Sequence, residues 1–594
     1  MRDFLELRTW TVFDVDDSGR VLAGHDGSGS LQLVEVAPDG ARTPLTALPG
    51  ACSGRYVVGE RAVVVQHDDG GNERAQLSLL SLDPPPAEPV GLDDLTPLVH
   101  DPEYIHTLVD VGAGTVAYST NRRNGIDFDV IVRYLADGAE VVAYDGGGYV
   151  VEVSVEGQSA VVTLASRQPG STRVRVGADG RLRDVTEADD HALHTGGRLL
   201  PGGSQVLMSS NHGREFAAVV QVGADGGWTT LVETEHDLTV VASPDASVML
   251  VVHHVDGGDA LALHHIGGAH LSEVPLPASG VTTARWSPDG RWLAIALGAP
   301  TQPGSVLLHE VTGSAPRMVV DGTDQLSPAI AAALVEPTSH RVPARDGESI
   351  PCFVYTPLEP CVELAGSVVI SIHGGPEAQA TRRFSPEVQA LVAAGHTVLA
   401  PNVRGSTGYG KRWYSLDDVR LRLESVHDLA DLRSWVTEVG GDPQRVALYG
   451  GSYGGYMVLA GLSMQPDLWA AGVDVVGISS LVTFLENTSD YRRAAREREY
   501  GSLETDRDFL TAASPLTYLD DIRAPLLAIH GANDPRVPLG ESEQIKAALD
   551  ANGVPCILLV YADEGHGLAK RVNRLDAYPQ VAEFLATHLQ ITPA

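Results

Sequence analysis

The stretch Arg445-Val446-Ala447-Leu448-Tyr449-Gly450-Gly451-Ser452-Tyr453-Gly454-Gly455 joins three kinds of local sequence. Residues 445–449 are mostly apolar, as in a short buried strand, and residues 456–465 have the composition of a helix. The glycines between them permit a sharp turn and a close approach of backbones. This strand–turn–helix context is the one that a G-x-S-x-G motif requires, and it leaves the serine hydroxyl exposed at the edge of a sheet. Ser452 is therefore our candidate nucleophile; the alternative is a glycine-rich turn with an incidental serine.

A serine hydroxyl also needs a base to remove its proton and an acid to orient that base. Asp534 follows an apolar strand at 526–529, and His566 follows another at 557–561. The chain order Ser452, Asp534, His566 is the order found in the α/β-hydrolase fold. The competing residues are His530 and His373 for the base, and Asp520, Asp521 and Asp563 for the acid. Both competing histidines break the chain order, so we expect structural roles for them.

Such a reaction also needs backbone N–H groups that point at the developing oxyanion. We expect one from Tyr453, the residue after the candidate nucleophile. The second is expected from the loop His373-Gly374-Gly375-Pro376, which follows a predicted strand at 367–372.

The C-terminal half of the chain alternates between strand-like and helix-like segments. Arg345-Asp346-Gly347 predicts a hairpin turn, the segment 386–394 predicts a helix, and residues 397–400 predict another strand. A helix is also predicted over 426–439. This alternation predicts a mostly parallel sheet covered on both faces. We assign residues 326–594 to an α/β-hydrolase domain.

The N-terminal half consists of short apolar segments separated by Gly, Asp and Pro, with little helical periodicity. Its repeats start at Val21, Val63, Val116, Val161, Val206, Val248 and Trp292, spaced 42 to 53 residues apart. A period of this length fits a four-stranded propeller blade. The longest interval contains the proline-rich segment 84–89, which we interpret as an inserted loop. Residues 1–325 are therefore predicted to form a seven-bladed β-propeller.

Composition restricts the partners of this 594-residue chain. A hydrophobic content of 43% and a charged content of 20% are those of a globular protein, and this length predicts at least two domains. A formal net charge of −35 disfavours nucleic acid and anionic membranes as partners. The sequence has no signal-peptide pattern, no membrane-length apolar run and no Cys-x-x-Cys spacing, so we expect a cytoplasmic protein with reduced cysteines.

We expect neither a metal nor another cofactor. The most suggestive pattern is His253-His254 together with His264-His265. Adjacent residues on a strand point to opposite faces, so each pair offers only one ligand to a side. No cysteine or acidic spacing supports zinc at these positions.

The motifs of the C-terminal half resemble those of the prolyl oligopeptidase family of serine peptidases, and most of all its acylaminoacyl-peptidase branch. The matching stretches are residues 373–376, 401–410, 450–457, 530–538 and 564–566. The resemblance implies a triad of Ser452, Asp534 and His566, with the oxyanion held by the N–H groups of Tyr453 and Gly375.

The resemblance also implies a substrate-binding role for three further residues. Arg536 would bind a backbone carbonyl of the substrate, although an ordinary surface salt bridge is the alternative. Phe484 and Leu481 would line an apolar specificity pocket, although apolar residues there are equally compatible with the core. In this family the propeller restricts entry to short peptides or small amides, and assemblies range from monomers to hexamers, so a homo-oligomer is possible. The dipeptidyl-peptidase branch carries a paired-glutamate motif, and this chain has no Glu-Glu dipeptide.

Three functions follow as hypotheses. The first is a cytoplasmic serine peptidase that hydrolyses short or N-acylated peptides through an acyl-enzyme. The second keeps the same machinery but acts on an aminoacyl amide or ester of a small natural product. The third is a propeller interaction module attached to an inactive hydrolase.

Overall fold

A computed structural model describes residues 1–178, 180–313, 315–359 and 361–591. The chain divides into two compact units. The N-terminal unit comprises Arg8–Asp69 and Glu73–Asp324, and the C-terminal unit comprises Met1–Leu7, Gly70–Asn72 and Gln325–Ala594.

The first seven residues correct the sequence interpretation, which assigned them to the propeller. They contain the short helix α1 (Arg2–Leu5) and belong to the C-terminal unit. The reason is apolar packing, because Phe4 and Leu7 lie in one buried cluster with Leu334 and Phe384.

The N-terminal unit is a seven-bladed β-propeller. It contains seven antiparallel sheets of four strands, each formed from consecutive strands. In chain order the blades are β1–β4 (Trp10–Val15, Val21–His25, Gln32–Val36, Arg42–Pro44), β5–β8 (Cys52–Tyr56, Ala62–His67, Gln76–Ser81, Thr96–Val99), β9–β12 (His106–Gly112, Thr115–Thr120, Asp129–Tyr134, Glu140–Tyr144), β13–β16 (Val150–Glu156, Ser159–Ala165, Thr172–Ala178, Arg181–Asp184), β17–β20 (His194–Leu199, Gln205–Ser210, Ala218–Gly223, Trp228–Val232), β21–β24 (Leu238–Ala242, Val248–Val255, Gly258–His265, His270–Val274) and β25–β28 (Val281–Trp286, Trp292–Ala299, Gln302–Glu310, Arg317–Val320).

The apolar repeats of the sequence are the second strands of the blades. These strands have neighbours on both edges, and their central residues are buried on both faces, as at Val63–Val65 in β6. A strand buried on both faces is apolar throughout, which explains why it gives the clearest sequence signal. The proline-rich segment 84–89 lies between β7 and β8, as predicted. Residues of the first and last blades, including Val12 and Leu308, share one apolar cluster that closes the ring.

The C-terminal unit contains an eight-stranded sheet in the order β29-β30-β32-β31-β33-β34-β35-β36. β30 pairs antiparallel with both neighbours, and the strands from β32 to β36 are parallel. The strands are β29 (Thr338–Pro343), β30 (Ser349–Tyr355), β31 (Val368–Ile372), β32 (Thr397–Pro401), β33 (Val446–Gly451), β34 (Ala471–Val475), β35 (Leu526–Gly531) and β36 (Cys556–Tyr561).

The further helices are α2 (Pro328–Ala333), α3 (Pro386–Ala394), α4 (Lys411–Tyr414), α5 (Arg422–Trp435), α6 (Tyr453–Met464), α7 (Leu481–Asn487), α8 (Asp490–Tyr500), α9 (Arg507–Ala512), α10 (Gly540–Ala551) and α11 (Arg571–Leu589). Alternate residues of the parallel strands enter two different cores: Val446 and Leu448 face one, and Ala447 faces the other. Helices α5, α6 and α10 contribute to the first core, while α3 and α11 contribute to the second. The predicted parallel sheet with helices on both faces is therefore confirmed. No helix in the described part of the chain is both long and apolar enough to cross a membrane.

A buried ion pair fixes the loop that follows β32. The Nε of Arg404 lies 3.0 Å from Asp428 Oδ1, and the Arg404 backbone N–H donates to Asp428 Oδ2. The same guanidinium also pairs with Asp346 in the β29–β30 turn. The Asp428 side chain is fully buried, and this burial raises its pKa to about 7 despite the opposing effect of Arg404. Arg404 therefore compensates a carboxylate that has no access to water.

We expect Arg404→Met to lower the free energy of unfolding by about 3–5 kcal/mol, because it leaves Asp428 buried without its cation. The matched control is Arg412→Met, since Arg412 forms an exposed pair with Glu348 and should contribute less than about 1 kcal/mol. Urea unfolding of both variants at neutral pH checks this expectation. Equal losses in the two variants would contradict it.

Candidate active site

Ser452 lies in a strained turn between β33 and α6. Its φ is 58° and its ψ is −117°, a conformation that residues with side chains rarely adopt. The Ser452 N–H donates to Val475 O in the neighbouring strand, and Ser452 O accepts the N–H of Tyr456. Because β33 is a central parallel strand, this turn occurs at the carboxyl edge of the sheet. The predicted strand–turn–helix is therefore present, with the helix beginning directly at Tyr453.

We call this turn, residues 450–454, the elbow. Its glycines at 450 and 454 are required because a Cβ atom would not fit at their positions. A Cβ at Gly450 would lie 2.4 Å from the carbonyl oxygen of Gly454. A Cβ at Gly454 would lie 2.3 Å from the carbonyl oxygen of Ile372 in β31. Both separations are far below van der Waals contact, so α6 can begin beside the sheet only with glycine at these positions.

Asp534 and His566 meet at the ends of β35 and β36. His566 Nδ1 lies 2.7 Å from Asp534 Oδ2. The other carboxylate oxygen, Oδ1, accepts the backbone N–H groups of Arg536 and Val537 at 2.8 and 3.1 Å. The Asp534 side chain is buried, whereas 14% of the His566 side chain is exposed. This geometry fixes the aspartate in one orientation and leaves the imidazole accessible.

The loops that carry these two residues are also joined to each other. The Asn533 N–H donates to Glu564 O at 2.9 Å. The buried Glu564 carboxylate accepts the backbone N–H groups of Ala569 and Lys570, both at 2.9 Å. Glu564 therefore fixes the turn that follows His566.

The competing histidines have other hydrogen-bond partners. His530 Nε2 lies 3.0 Å from Val537 O and its Nδ1 lies 2.7 Å from Ser542 Oγ, and burial lowers the pKa of this histidine. His373 Nδ1 lies 2.7 Å from Gly374 O, and its Nε2 lies 2.8 Å from Ser406 Oγ. Both rings are thus engaged within the fold.

The competing acids lie at the surface. Asp520 and Asp521 are exposed at the end of the 3₁₀ segment Pro515–Asp521. Asp563 is also exposed and pairs with Lys570 at 2.7 Å.

The glycine loop after β31 lies beside the elbow. A Cβ at Gly374 would come within 3.4 Å of the Ser452 Cβ. Gly375 has a φ of +139°, which strongly favours glycine, and it precedes Pro376. The structure therefore brings this predicted loop to the candidate nucleophile.

The three predicted substrate-binding residues lie on loops and helices after β34 and β35. The carbonyl oxygen of Arg536 accepts the hydroxyl of Thr488 at 2.9 Å. Leu481 is fully buried and Phe484 is 4% exposed, and both belong to the core cluster that contains α6. The Phe484 ring packs edge-to-face on Tyr500 at 5.8 Å.

Glu541 was not identified from the sequence, although it fixes this region. Its buried carboxylate accepts the backbone N–H groups of Ser479 and Ser480 at 3.0 and 2.9 Å. It also accepts the side chains of Thr483 and Gln544. Glu541 therefore links α10 to the start of α7, which carries Leu481 and Phe484. A glutamate in the first turn of a helix gives no sequence signal for this role, because such residues are usually solvated.

The histidine pairs of the propeller form local hydrogen bonds. His254 Nδ1 lies 2.8 Å from Asp259 Oδ1, and His264 Nδ1 lies 3.0 Å from Gly268 O. Each of these histidines and its partner lie in the same blade, β21–β24.

Comparisons with known proteins agree with this fold. Residues 382–592 match the model of the prolyl oligopeptidase family. The chain is 28% identical to dipeptidyl aminopeptidase BIII of Pseudoxanthomonas mexicana over 552 residues, which cover 87% of this chain and 77% of that protein. It is 25% identical to the acylamino-acid-releasing enzyme of Arabidopsis thaliana over 223 residues, which cover 36% of this chain and 29% of that protein.

Among solved structures, a puromycin-hydrolyzing peptidase of Mycobacterium tuberculosis superposes with a TM-score of 0.85 at 21% identity. The match covers 100% of this chain and 96% of that structure. At this identity the likeness supports the fold alone.

The class of protein follows from the propeller, the hydrolase sheet and these relatives: the chain is a serine hydrolase. Residues 382–592 of its C-terminal unit are similar to the prolyl oligopeptidase family of serine peptidases, in agreement with the resemblance of the motifs.

We expect Glu541→Gln to raise KM for peptide substrates by about three- to tenfold, with a smaller change in kcat. The reason is that a neutral amide oxygen accepts the N–H groups of Ser479 and Ser480 more weakly than a carboxylate does, which loosens α7. The weaker bonds should also lower the free energy of unfolding by about 1–3 kcal/mol. Steady-state kinetics and urea unfolding measure the two effects. The matched control is Glu543→Gln on the same helix, whose side chain is exposed; an equal effect there would refute the role of Glu541.

Proposed function

We propose that this chain hydrolyses short or N-acylated peptides, with Ser452 as the nucleophile, His566 as the general base and Asp534 as the orienting acid. The observation that carries the proposal is the 2.7 Å contact between His566 Nδ1 and Asp534 Oδ2 at the sheet edge that carries the strained Ser452. Catalysis is assigned to residues 326–594.

Acylation begins when Ser452 Oγ attacks the substrate carbonyl carbon. His566 Nε2 takes the hydroxyl proton, and the imidazolium is stabilised by the Asp534 carboxylate, which accepts its Nδ1–H. The same proton then passes to the leaving amine as the C–N bond breaks. Water, activated by His566, releases the acyl group from Ser452 and restores the enzyme.

The tetrahedral intermediate carries a negative charge that needs preorganised donors. We assign the Tyr453 and Gly375 N–H groups to this role. Tyr453 is the first residue of α6, so its N–H has no partner within the helix and lies at the positive end of the helix dipole. The backbone at Gly375 has a positive φ that favours glycine, and this conformation allows its loop to lie against Ser452.

We assign substrate binding to Arg536, through a substrate carbonyl, and to an apolar pocket that includes Phe484. Leu481 has no exposed surface, so its part in this pocket is packing behind Phe484. The name of the Arabidopsis relative, an acylamino-acid-releasing enzyme, supports N-acylated peptides as substrates. Dipeptidyl aminopeptidase BIII supports free N-termini, but this chain lacks the Glu-Glu dipeptide of the dipeptidyl-peptidase branch.

A second candidate function is hydrolysis of an aminoacyl amide in a small natural product. The observation that favours it is the extended structural similarity to a puromycin-hydrolyzing peptidase. The chemistry at Ser452 would be unchanged, and only the leaving amine would differ.

We place the enzyme in the cytoplasm. Its four cysteines, two of them buried, are all unpaired thiols, which suits a reducing compartment.

We expect Ser452→Ala to lower kcat/KM by about 10³-fold or more, because no other group can form the acyl-enzyme. A fluorophosphonate should label the unaltered chain at one site, and Ser452→Ala should remove the label. The control is Ser434→Ala, an exposed serine on α5 that should leave both measurements unchanged. Undiminished hydrolysis by Ser452→Ala would overturn the proposal.

A substrate panel separates the two candidate functions. It contains N-acetylated, free-amine and proline-containing chromogenic amides, together with an aminoacyl nucleoside amide. Highest kcat/KM for the acetylated amides supports the peptidase function. Highest kcat/KM for the nucleoside amide supports the second function instead.

A further inference from the structure

A separate acidic cluster surrounds the beginning of α5. Asp417 and Asp418 precede this helix, and Glu499 lies near the end of α8. Each residue offers a carboxylate oxygen, and these oxygens lie within 4.8 Å of one another. Asp417 and Glu499 are each 1% exposed, whereas Asp418 is only half-buried.

Arg422 compensates only part of this charge. Its guanidinium pairs with Asp417 Oδ2 and Glu499 Oε1. The remaining oxygens, Asp417 Oδ1 and Glu499 Oε2, are buried and have no hydrogen-bond partner among the described residues. A buried acceptor without a partner is costly, so these two oxygens indicate an additional ligand.

The cluster carries three carboxylates and one guanidinium, which leaves two negative charges when all are ionised. Glu377 also acts on Asp418, but it is paired with Arg498 at 3.2 Å. A counter-charge of +2 would balance the cluster.

We propose that Asp417, Asp418 and Glu499 form a binding site for a divalent cation of the hard, oxygen-preferring class, Mg²⁺ or Ca²⁺. Carboxylate oxygens are the ligands that such ions prefer. Two of the ligands come from the fixed, buried side chains. The half-buried Asp418 leaves access for the water molecules that complete the coordination.

The site is connected to the catalytic elbow through Tyr453. The Tyr453 hydroxyl donates to Asp417 Oδ2 at 3.2 Å and lies 2.8 Å from Ser425 Oγ. The Arg422 guanidinium lies over the Tyr453 ring at 5.2 Å and over the Tyr500 ring at 4.8 Å. A bound cation would therefore stabilise the packing around the residue that follows Ser452.

The test is calorimetric titration of the full-length chain, stripped with EDTA and dialysed, with CaCl₂ and with MgCl₂. We expect one site and a saturable stabilisation in thermal unfolding. Asp418→Asn should weaken binding by about tenfold or more. The control Asp508→Asn removes an exposed acid on α9 and should bind as the unaltered chain does.

Terbium luminescence provides a second measurement that does not depend on stability. Tb³⁺ replaces Ca²⁺ at oxygen sites, and emission excited through tyrosine should appear in the unaltered chain and be lost in Asp418→Asn. The proposal is overturned if neither ion binds at up to about 1 mM, the weak end of protein calcium sites. Equal affinity in Asp418→Asn also overturns it. A third result would also overturn it: Asp418→Asn changes the preference between free-amine and acetylated substrates in the absence of added cation. That result would assign the cluster to binding of the substrate ammonium.

Discussion

The backbone at Ser452 is the constraint on which the rest of the catalytic unit depends. The residue follows a central parallel strand, takes a positive φ of 58°, and is followed at once by α6. A turn this sharp brings the helix so close to the neighbouring strand that a Cβ at Gly454 would lie 2.3 Å from the carbonyl oxygen of Ile372. The strain is tolerated because β31 and β34 hold β33 on both edges and because α6 is buried along most of its length. The backbone thereby places the hydroxyl at the sheet edge.

Buried carboxylates hold the loops around this turn. Asp534, Glu541 and Glu564 each accept two backbone N–H groups. Those bound by Asp534 and Glu564 belong to their own loops, and those bound by Glu541 lie at the start of α7. An ionised acceptor makes stronger hydrogen bonds than a neutral one, and two bonds to consecutive or nearby N–H groups fix a loop in one conformation. Only Asp534 also faces an accessible imidazole. A carboxylate can therefore serve as a loop anchor alone, as Glu564 does with both oxygens, or also orient an imidazole, as Asp534 does with Oδ2.

The sequence predicted the fold and the candidate triad because both have local signals. The second strand of each blade is buried on both faces, so its apolar run repeats along the chain, and the elbow glycines permit a turn that few other residues allow. Helix boundaries were predicted less well. The helix expected over 426–439 begins earlier, at Arg422, because this arginine is buried although its charge is ordinarily found in solvent. Its α-helical part ends at Trp435, and the 3₁₀ segment Val436–Val439 continues it to the predicted end. The first seven residues were assigned to the wrong unit, since nothing in their sequence identifies Leu334 and Phe384 as their partners.

By itself, the sequence determined that a serine stands at a strand–helix turn, that an aspartate and a histidine follow it in hydrolase order, and that seven repeats precede it. These features depend on neighbours a few residues away or on a regular period, which a sequence displays directly. The tertiary structure decided how the two histidines near Asp534 are used. His566 Nδ1 lies 2.7 Å from Asp534 Oδ2, whereas His530 Nε2 lies 3.9 Å from that oxygen and 3.0 Å from Val537 O. The tertiary structure also decided that Glu541 reaches Ser479, 62 residues away, and that Asp417 and Glu499 share Arg422. Such contacts join residues far apart in the chain, and the burial that gives them their energies exists only after folding.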